Sequence, residues 1–281
     1  MRLIEDPQAM RELALDWSRQ RLEIGLVPTM GALHEGHMSL VRRAREENQR
    51  VVVSVFVNPL QFGPGEDLDR YPRDLDQDRV RLAGAGVDAV FAPSTQAMYG
   101  AGAATRVSVV PLGQVLEAVQ RPGHFEGVAT VVTKLFNLCR PDRAYFGRKD
   151  AQQLALVQRL AEDLDFGLSV VPVATVRDPD GLALSSRNAY LSPAERAAAP
   201  CLWRALVGAG RAYRQGVRQP EALSRLLRDS ISAEPLAELE YAELVDPSSF
   251  TSPGPLAVLA VRLGSARLID NLRLDEFEEV S

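Results

Sequence analysis

Val51-Val52-Val53-Ser54-Val55-Phe56-Val57 is the run that decides the fold. Six of its seven residues are apolar and five are valine, so it does not alternate as a half-solvated strand would. A continuous β-branched run of this length reads as a strand buried on both faces, the pattern of a parallel sheet covered by helices. Just before it, Gly36 to Asn48 reads as a helix with its charges on one side, and before that Ile24-Gly25-Leu26-Val27 is a short apolar run ending at Pro28. These three pieces make a β–α–β unit. The pattern continues downstream. Asp74 to Ala85 reads as a helix, Asp88 to Ala92 as a strand stopped by Pro93, and Val128 to Leu138 as a helix. Ala144 to Gly147 is a short strand, Ala151 to Asp163 a helix, and Leu168 to Val173 a strand. Alternation at this spacing predicts an α/β domain over residues 1–175, a parallel sheet with helices on both faces. Ligands of such sheets sit beyond the C-terminal ends of the strands.

The character changes after the turn-rich hinge Arg177-Asp178-Pro179-Asp180-Gly181. Two helical stretches, Pro193 to Gln215 and Pro220 to Ala233, precede three β-like runs, Leu239 to Val245, Leu256 to Leu263 and Ala266 to Leu272. They predict a smaller α+β domain over residues 176–281, ending in a solvated acidic tail, Asp275 to Glu279. The 281 residues, 46% apolar and 25% charged, suffice for such a two-domain globular protein. The net charge of -5 disfavours a protein built chiefly to bind nucleic acid. No run approaches 18 apolar residues, so no membrane span is expected, and the charged start MRLIEDPQAMREL lacks a signal-peptide core. Cys139 and Cys201 lie in apolar helical patterns and read as reduced, buried thiols of a cytoplasmic protein.

Five segments carry candidate chemistry. Pro28-Thr29-Met30-Gly31-Ala32-Leu33-His34-Glu35-Gly36-His37 joins the first strand to a helix. Free backbone N–H groups at such a junction suit phosphate, and imidazoles three positions apart can donate to its oxygens. A zinc pair is the alternative, but no third and fourth ligand stands at a supporting spacing. Gly147-Arg148-Lys149-Asp150 occupies a second strand-to-helix junction. Thirty of the 32 cations are arginine, so Lys149 is a rare ammonium, and a compact ammonium can follow migrating phosphate charge. Leu184-Ser185-Ser186-Arg187-Asn188, past the hinge, combines hydroxyls and a guanidinium as an anion clamp. Arg121-Pro122-Gly123-His124-Phe125-Glu126-Gly127 enters a helix, where Arg121 can hold a carboxylate bidentately. Asn58-Pro59-Leu60-Gln61-Phe62-Gly63 follows the valine run, and Gln61 offers both a donor and an acceptor. Asp74, Asp76 and Asp78 read as a solvated helix N-terminus, one of which could touch a phosphate-bound metal.

Together PTMGALHEGH (28–37), FVNPLQF (56–62), RPGHFEGV (121–128), FGRKDAQQ (146–153) and LSSRN (184–188) resemble the pantoate–β-alanine ligase family, in its order and spacing. The resemblance spans nearly the whole chain and is least diagnostic in the C-terminal domain. It implies a Rossmann-like ATP- and pantoate-binding domain, a lid-like C-terminal domain, Mg²⁺ dependence, a cytoplasmic homodimer, and small-molecule substrates without nucleic acid or membrane. It implies catalytic roles for His34, His37, Lys149 and Arg187, with the proton-donor position on His37. Met30, Gly31, Ala32, Leu33, His34, Glu35, Gly36, His37, Gly147, Arg148, Lys149, Asp150, Val176, Leu184, Ser185, Ser186 and Arg187 fall on its ATP-binding segments. Among them His34, His37, Lys149, Ser185, Ser186 and Arg187 are implied to contact phosphates. Gln61 and Gln153 fall on pantoate-binding glutamines, Gln61 also near β-alanine, and Arg121 matches a position near the substrate. The protein ligands of Mg²⁺ are left open. The chain departs from the family at Arg148, often Glu, and at Met38, often Leu.

The implied reaction condenses pantoate with β-alanine through a pantoyl adenylate, releasing pyrophosphate and then AMP. A carboxylate is a poor acyl donor until adenylated, so the work of such a site is positioning and preplaced electrostatic stabilisation. The rival reading is a related nucleotidylyltransferase that stops after nucleotide transfer.

Overall fold

The computed structural model describes residues 1–251 and 253–278. The chain forms two compact units, Met1–Arg148 with Gln153–Ala174, and Lys149–Gln152 with Thr175–Ser281.

The first unit is built on a six-stranded parallel sheet. Its strands are β1 (Arg2–Ile4), β2 (Ile24–Thr29), β3 (Arg50–Val55), β4 (Ala89–Phe91), β5 (Arg143–Gly147) and β6 (Ser169–Val173). They lie in the order β1-β4-β3-β2-β5-β6. The helices are α1 (Pro7–Arg19), α2 (Glu35–Glu47), α3 (Leu75–Gly84), α4 (Thr95–Tyr99), α5 (Glu117–Gln120), α6 (His124–Cys139) and α7 (Ala151–Asp163). The valine run is β3, and Val51, Val52 and Val53 are fully buried. Val51 and Val53 join a core with Val27, Met38, Val41, Ala44, Leu82 and Val90, so α2 and α3 cover that face. Leu26 and Val52 stand between them in the alternation, and α1 and α6 cover β2 from the other side. Burying one such side chain contributes about 1.5–3 kcal/mol. The chain runs outward from β2 to β3 and β4, then returns to place β5 on the other side of β2. That reversal makes the C-terminal ends of β2 and β5 a topological switch point, the usual ligand position in a doubly wound sheet.

The second unit carries α8 (Pro193–Ala198), α9 (Cys201–Arg214), α10 (Pro220–Ser232) and an antiparallel sheet of β7 (Ala237–Val245), β8 (Leu256–Leu263) and β9 (Ala266–Arg273). Leu202, Leu206, Leu223, Leu227 and Ile231 pack on Ala242, Leu259, Val261 and Leu268.

Three departures from the sequence reading have local causes. β1 and α1 were not foreseen: β1 has only three residues, and α1 begins at Pro7 behind the Asp6 cap. The single helix expected over Pro193 to Gln215 is two, α8 and α9. Pro200 has no N–H to continue the ladder and instead caps α9. Asp78 is no part of a solvated helix start; it is 2% exposed. Cys139 and Cys201 are free and buried as expected, burial pushing the thiols up to about 12 and about 11. Of the acidic end, Asp275, Glu276 and Glu278 are described, while Glu279 lies outside the described residues. Among the described residues no helix is long and apolar enough to cross a membrane.

Candidate functional site

β2 ends at Thr29, and the chain turns through Met30–Leu33 into α2, with His34 as the N-cap residue. The imidazoles close a reciprocal cap. The Gly36 N–H donates to His34 Nδ1 at 3.1 Å, and the His34 N–H donates to His37 Nδ1 at 3.3 Å. The rings lie 4.1 Å apart between centroids. A nitrogen that accepts carries no proton, so each neutral ring holds its proton on Nε2. This pair therefore joins two jobs: Nδ1 caps the helix and Nε2–H remains the donor edge.

The backbone around it departs from the sequence reading, which expected free N–H groups facing a ligand. Gly31 has φ 84° and Ala32 φ 52°, both left-handed. The Gly31 N–H donates to Thr29 Oγ1 (3.2 Å), the Ala32 N–H to Asp78 Oδ2 (3.0 Å) and the Leu33 N–H to Asp78 Oδ1 (2.8 Å). The chain's own carboxylate fills the cradle, because a buried N–H left without a partner is costly. Arg81, one turn beyond Asp78 on α3, donates to the Leu33 carbonyl at 2.8 Å. Burial pushes the Asp78 carboxyl above its ordinary range, an effect the Leu33 and Ala32 N–H groups only partly offset. Both Asp78 oxygens thus face this loop, where the sequence reading had them in solvent. Asp74 accepts from the Gln77 N–H, and Asp76 pairs with Arg79.

After β3, Asn58 caps the short turn Pro59–Gln61. Its Nδ2 donates to Gln61 Oε1 (3.1 Å) and to the Gly127 carbonyl (3.0 Å), and Tyr99 donates to its Oδ1 (2.6 Å). The orientation of the Gln61 amide is thereby set, its Nε2 lying 3.1 Å from Met30 Sδ. Gly127 must be glycine here: a Cβ would stand 2.3 Å from the Leu60 carbonyl oxygen. Asn58 (1% exposed) and Asp78 are the polar residues that sequence reasoning missed as structural keys. FVNPLQF contains the first, but sequence does not say which amide is buried.

Arg121 does hold a carboxylate bidentately, and it is that of Glu66: Nε to Oε1 at 2.9 Å and Nη2 to Oε2 at 2.7 Å. Its Nη1 lies 3.0 Å from His124 Nε2, and His124 Nδ1 lies 2.8 Å from the Gln61 carbonyl oxygen. A guanidinium only donates, so Nε2 accepts and Nδ1–H donates to Gln61. Burial, helped by Arg121, drives the His124 pKa from 6.5 down to about 4. Burial also pushes Glu66 up, but the hydrogen bonds and charge of Arg121 outweigh it and hold the carboxyl below its ordinary range. His124, 8% exposed, thus binds a proton more readily unfolded than folded, between about pH 4 and 6.5. Its contribution is complete above pH 6.5 and is lost as pH falls through that window, up to about 3 kcal/mol. His124→Asn, whose amide can still donate to Gln61, is expected to flatten this part of the pH–stability curve in urea titrations. An unchanged slope between pH 4 and 6.5 would rule the assignment out.

The remaining site residues fall as follows. Gly147 ends β5, and Arg148–Asp150 form a short turn into α7, where Gln153 is half-buried. In the second unit Lys149 Nζ stands 3.6 Å from Asp150 Oδ1. Arg177 and Ala183 form an antiparallel bridge, and the Leu184 N–H donates to the Val176 carbonyl at 3.0 Å. The chain leaves this hairpin through Ser185, whose Oγ accepts from the Arg187 N–H at 3.2 Å, into the turn Ser186–Tyr190. Leu184, Ser185, Ser186 and Arg187 are all half-buried.

Residues 2–273 match the family model described as pantoate-β-alanine ligase. The chain is 55% identical to the pantothenate synthetase of Rubrobacter xylanophilus, over 97% of this chain and 98% of that one. It is 52% identical to that of Agrobacterium fabrum, over 96% and 95%. The crystal structure of pantothenate synthetase from Thermus thermophilus superposes with TM-score 0.91 at 50% identity, covering 98% of this chain and 99% of that one. That of the Francisella tularensis pantoate-β-alanine ligase, complexed with β-γ ATP and β-alanine, does so with TM-score 0.81 at 34% identity, covering 99% of both chains.

Proposed function

The chain belongs to the pantoate–β-alanine ligase family, and from that membership we propose how it joins pantoate to β-alanine using ATP. It is an AMP-forming ligase of pantothenate biosynthesis. In the first step a pantoate carboxylate oxygen attacks the α-phosphorus of ATP. The bond to the bridging oxygen breaks, and pyrophosphate leaves with the electron pair. In the second step the neutral amine of β-alanine attacks the acyl carbon of the adenylate. AMP leaves through its phosphate oxygen, and the amine nitrogen loses a proton as the amide forms.

The observation that carries this course is the paired cap at the start of α2. Both Nδ1 atoms are occupied by backbone N–H groups, so both rings keep a proton on Nε2. Donors held in that state need no reorganisation as charge gathers on the phosphates. His34 and His37 are the phosphate donors of the first unit, with His37 the proton donor. Lys149, Ser185, Ser186 and Arg187 are the phosphate contacts of the second unit. Arg187 is catalytic with Lys149, His34 and His37. Met30–His37, Gly147–Asp150, Val176 and Leu184–Arg187 bind ATP. Gln61, oriented by Asn58, and Gln153 bind pantoate, with Gln61 also meeting β-alanine. Arg121 lies near the substrate; held by Glu66, it steadies the Gln61 carbonyl together with His124. The domain beginning at residue 176 acts as a lid that keeps water from the adenylate.

Mg²⁺ accompanies the nucleotide. Among the described residues no three His, Cys, Asp or Glu cluster as a cage. That suits a cation held mainly by phosphate oxygens with one or two carboxylates at most. The ion would neutralise charge on the phosphates. The enzyme works in the cytoplasm as a homodimer.

The test is product identity. With ATP, pantoate and β-alanine the protein should release AMP and pyrophosphate in equal amounts together with the amide. Nucleotide transfer to pantoate with no amide after β-alanine is added would favour the nucleotidylyltransferase alternative instead.

A further inference from the structure

Strand β9 meets two segments of the second unit through neighbouring residues. Asp270, 3% exposed, accepts from Arg177 twice, Nη1 to Oδ2 at 2.6 Å and Nη2 to Oδ1 at 2.9 Å. Arg177 also donates to the Gly181 carbonyl at 3.1 Å and lies 3.8 Å over the Trp203 ring. That guanidinium pins the hairpin from which Leu184–Arg187 emerge. The turn Ser186–Tyr190 itself packs on β9. Asn271 is the next residue and, by the alternation of a strand, projects to the opposite face. Its Nδ2 donates to the Lys149 carbonyl at 2.8 Å, and its own N–H donates to Asp270 Oδ1 at 2.8 Å.

We infer that Asn271 is a positioning residue for Lys149. The inference rests on the reading of Lys149 as a phosphate donor. The Lys149 carbonyl belongs to the peptide that turns β5 into α7, and that peptide sets where the lysine side chain starts. A four-carbon stem with free torsions delivers its ammonium accurately only from a fixed root. Asn271 supplies the donor that holds the root, and Asp270 beside it holds the hairpin bearing Ser185–Arg187. One strand thus keeps two phosphate-binding segments in register.

A double-mutant cycle on the full chain tests this, read as pantoate-dependent pyrophosphate release. Asn271→Ala is expected to lower kcat about tenfold, the size of one lost neutral hydrogen bond. The melting temperature and the KM for β-alanine should hold. Asn271→Gln, which retains an amide donor, should recover part of the rate. Added to Lys149→Ala, Asn271→Ala should cost nothing further, because its effect passes through the lysine. A loss that multiplies with that of Lys149→Ala overturns the inference, as does a normal rate in Asn271→Ala beside a crippled Lys149→Ala. A near-normal rate in Lys149→Ala would instead overturn the role given to the lysine. Should truncation lower the melting temperature, the same cycle run with the near-isosteric Asn271→Asp, which lacks the donor, decides on the same criterion.

Discussion

His37→Ala is expected to slow pantoate-dependent pyrophosphate release by about 10²–10³-fold, the usual loss when one preplaced donor to developing charge is removed. In free energy that is about 2.7–4 kcal/mol of the barrier. The substitution also removes an acceptor from the helix start, since His37 Nδ1 receives the His34 N–H. Loss of a cap alone costs about 0.5–2 kcal/mol of stability, so the alanine variant confounds two effects. His37→Asn separates them. Its side-chain oxygen falls near the place of Nδ1 and can still receive the His34 N–H, but nothing stands where Nε2–H was. The asparagine variant should therefore melt close to the parent yet remain as slow as the alanine variant. Parent-like pyrophosphate release from His37→Asn would mean that the imidazole serves the helix and not the phosphates.

How far the sequence reached follows from which residues announce their surroundings. A run of five valines in seven can only be satisfied between two helical layers, so β3 and the parallel sheet around it were legible. The two histidines were legible as a pair because three positions within one helical turn bring rings together, as the 4.1 Å separation bears out. Their Nδ1 bonds were not, because capping geometry depends on a loop with two left-handed residues, and only Gly31 of the two signals that conformation. Asp78 misled for a similar reason. It stands among Asp74, Asp76 and Arg79, which look like a solvated helix start. Nothing local says that this one carboxylate turns inward to a loop 45 residues earlier in the chain. Arg121 does fork a carboxylate, but it is that of Glu66, which lies 55 positions away and is anonymous in sequence. Asn271 escaped because the C-terminal domain carries no signature of its own. Polar residues that act by holding another residue's backbone leave little trace in the local pattern.

Asp78→Ala should be the most disruptive substitution in the first unit outside its apolar core. It strands the N–H groups of Ala32 and Leu33, which now donate at 3.0 and 2.8 Å. Each buried donor without a partner costs about 1–3 kcal/mol, so the pair amounts to about 2–6 kcal/mol. Against this stands relief of a buried charge, for burial holds the Asp78 carboxyl above its ordinary 3.8. The sign of that term is definite. An acid whose folded pKa exceeds its unfolded one favours the native state most at low pH, and the advantage fades as pH rises through the folded value. Asp78→Asn abolishes this titration while keeping one acceptor. Its deficit relative to the parent should therefore be largest near pH 4, shrink toward neutral pH, and stay smaller than that of Asp78→Ala in urea titrations at pH 7. Catalysis should suffer as well. Ala32 keeps its left-handed φ of 52° only because the loop around it is tied down, and the same loop delivers His34 and His37. Displacing reacting groups by about 1 Å can cost about 10²-fold in rate, so both variants should lose pyrophosphate release even at temperatures where they remain folded. A parent-like melting point together with a parent-like rate in Asp78→Ala would show that the loop holds its shape without the carboxylate. The form of this loop would then rest on the glycine and the helix cap alone.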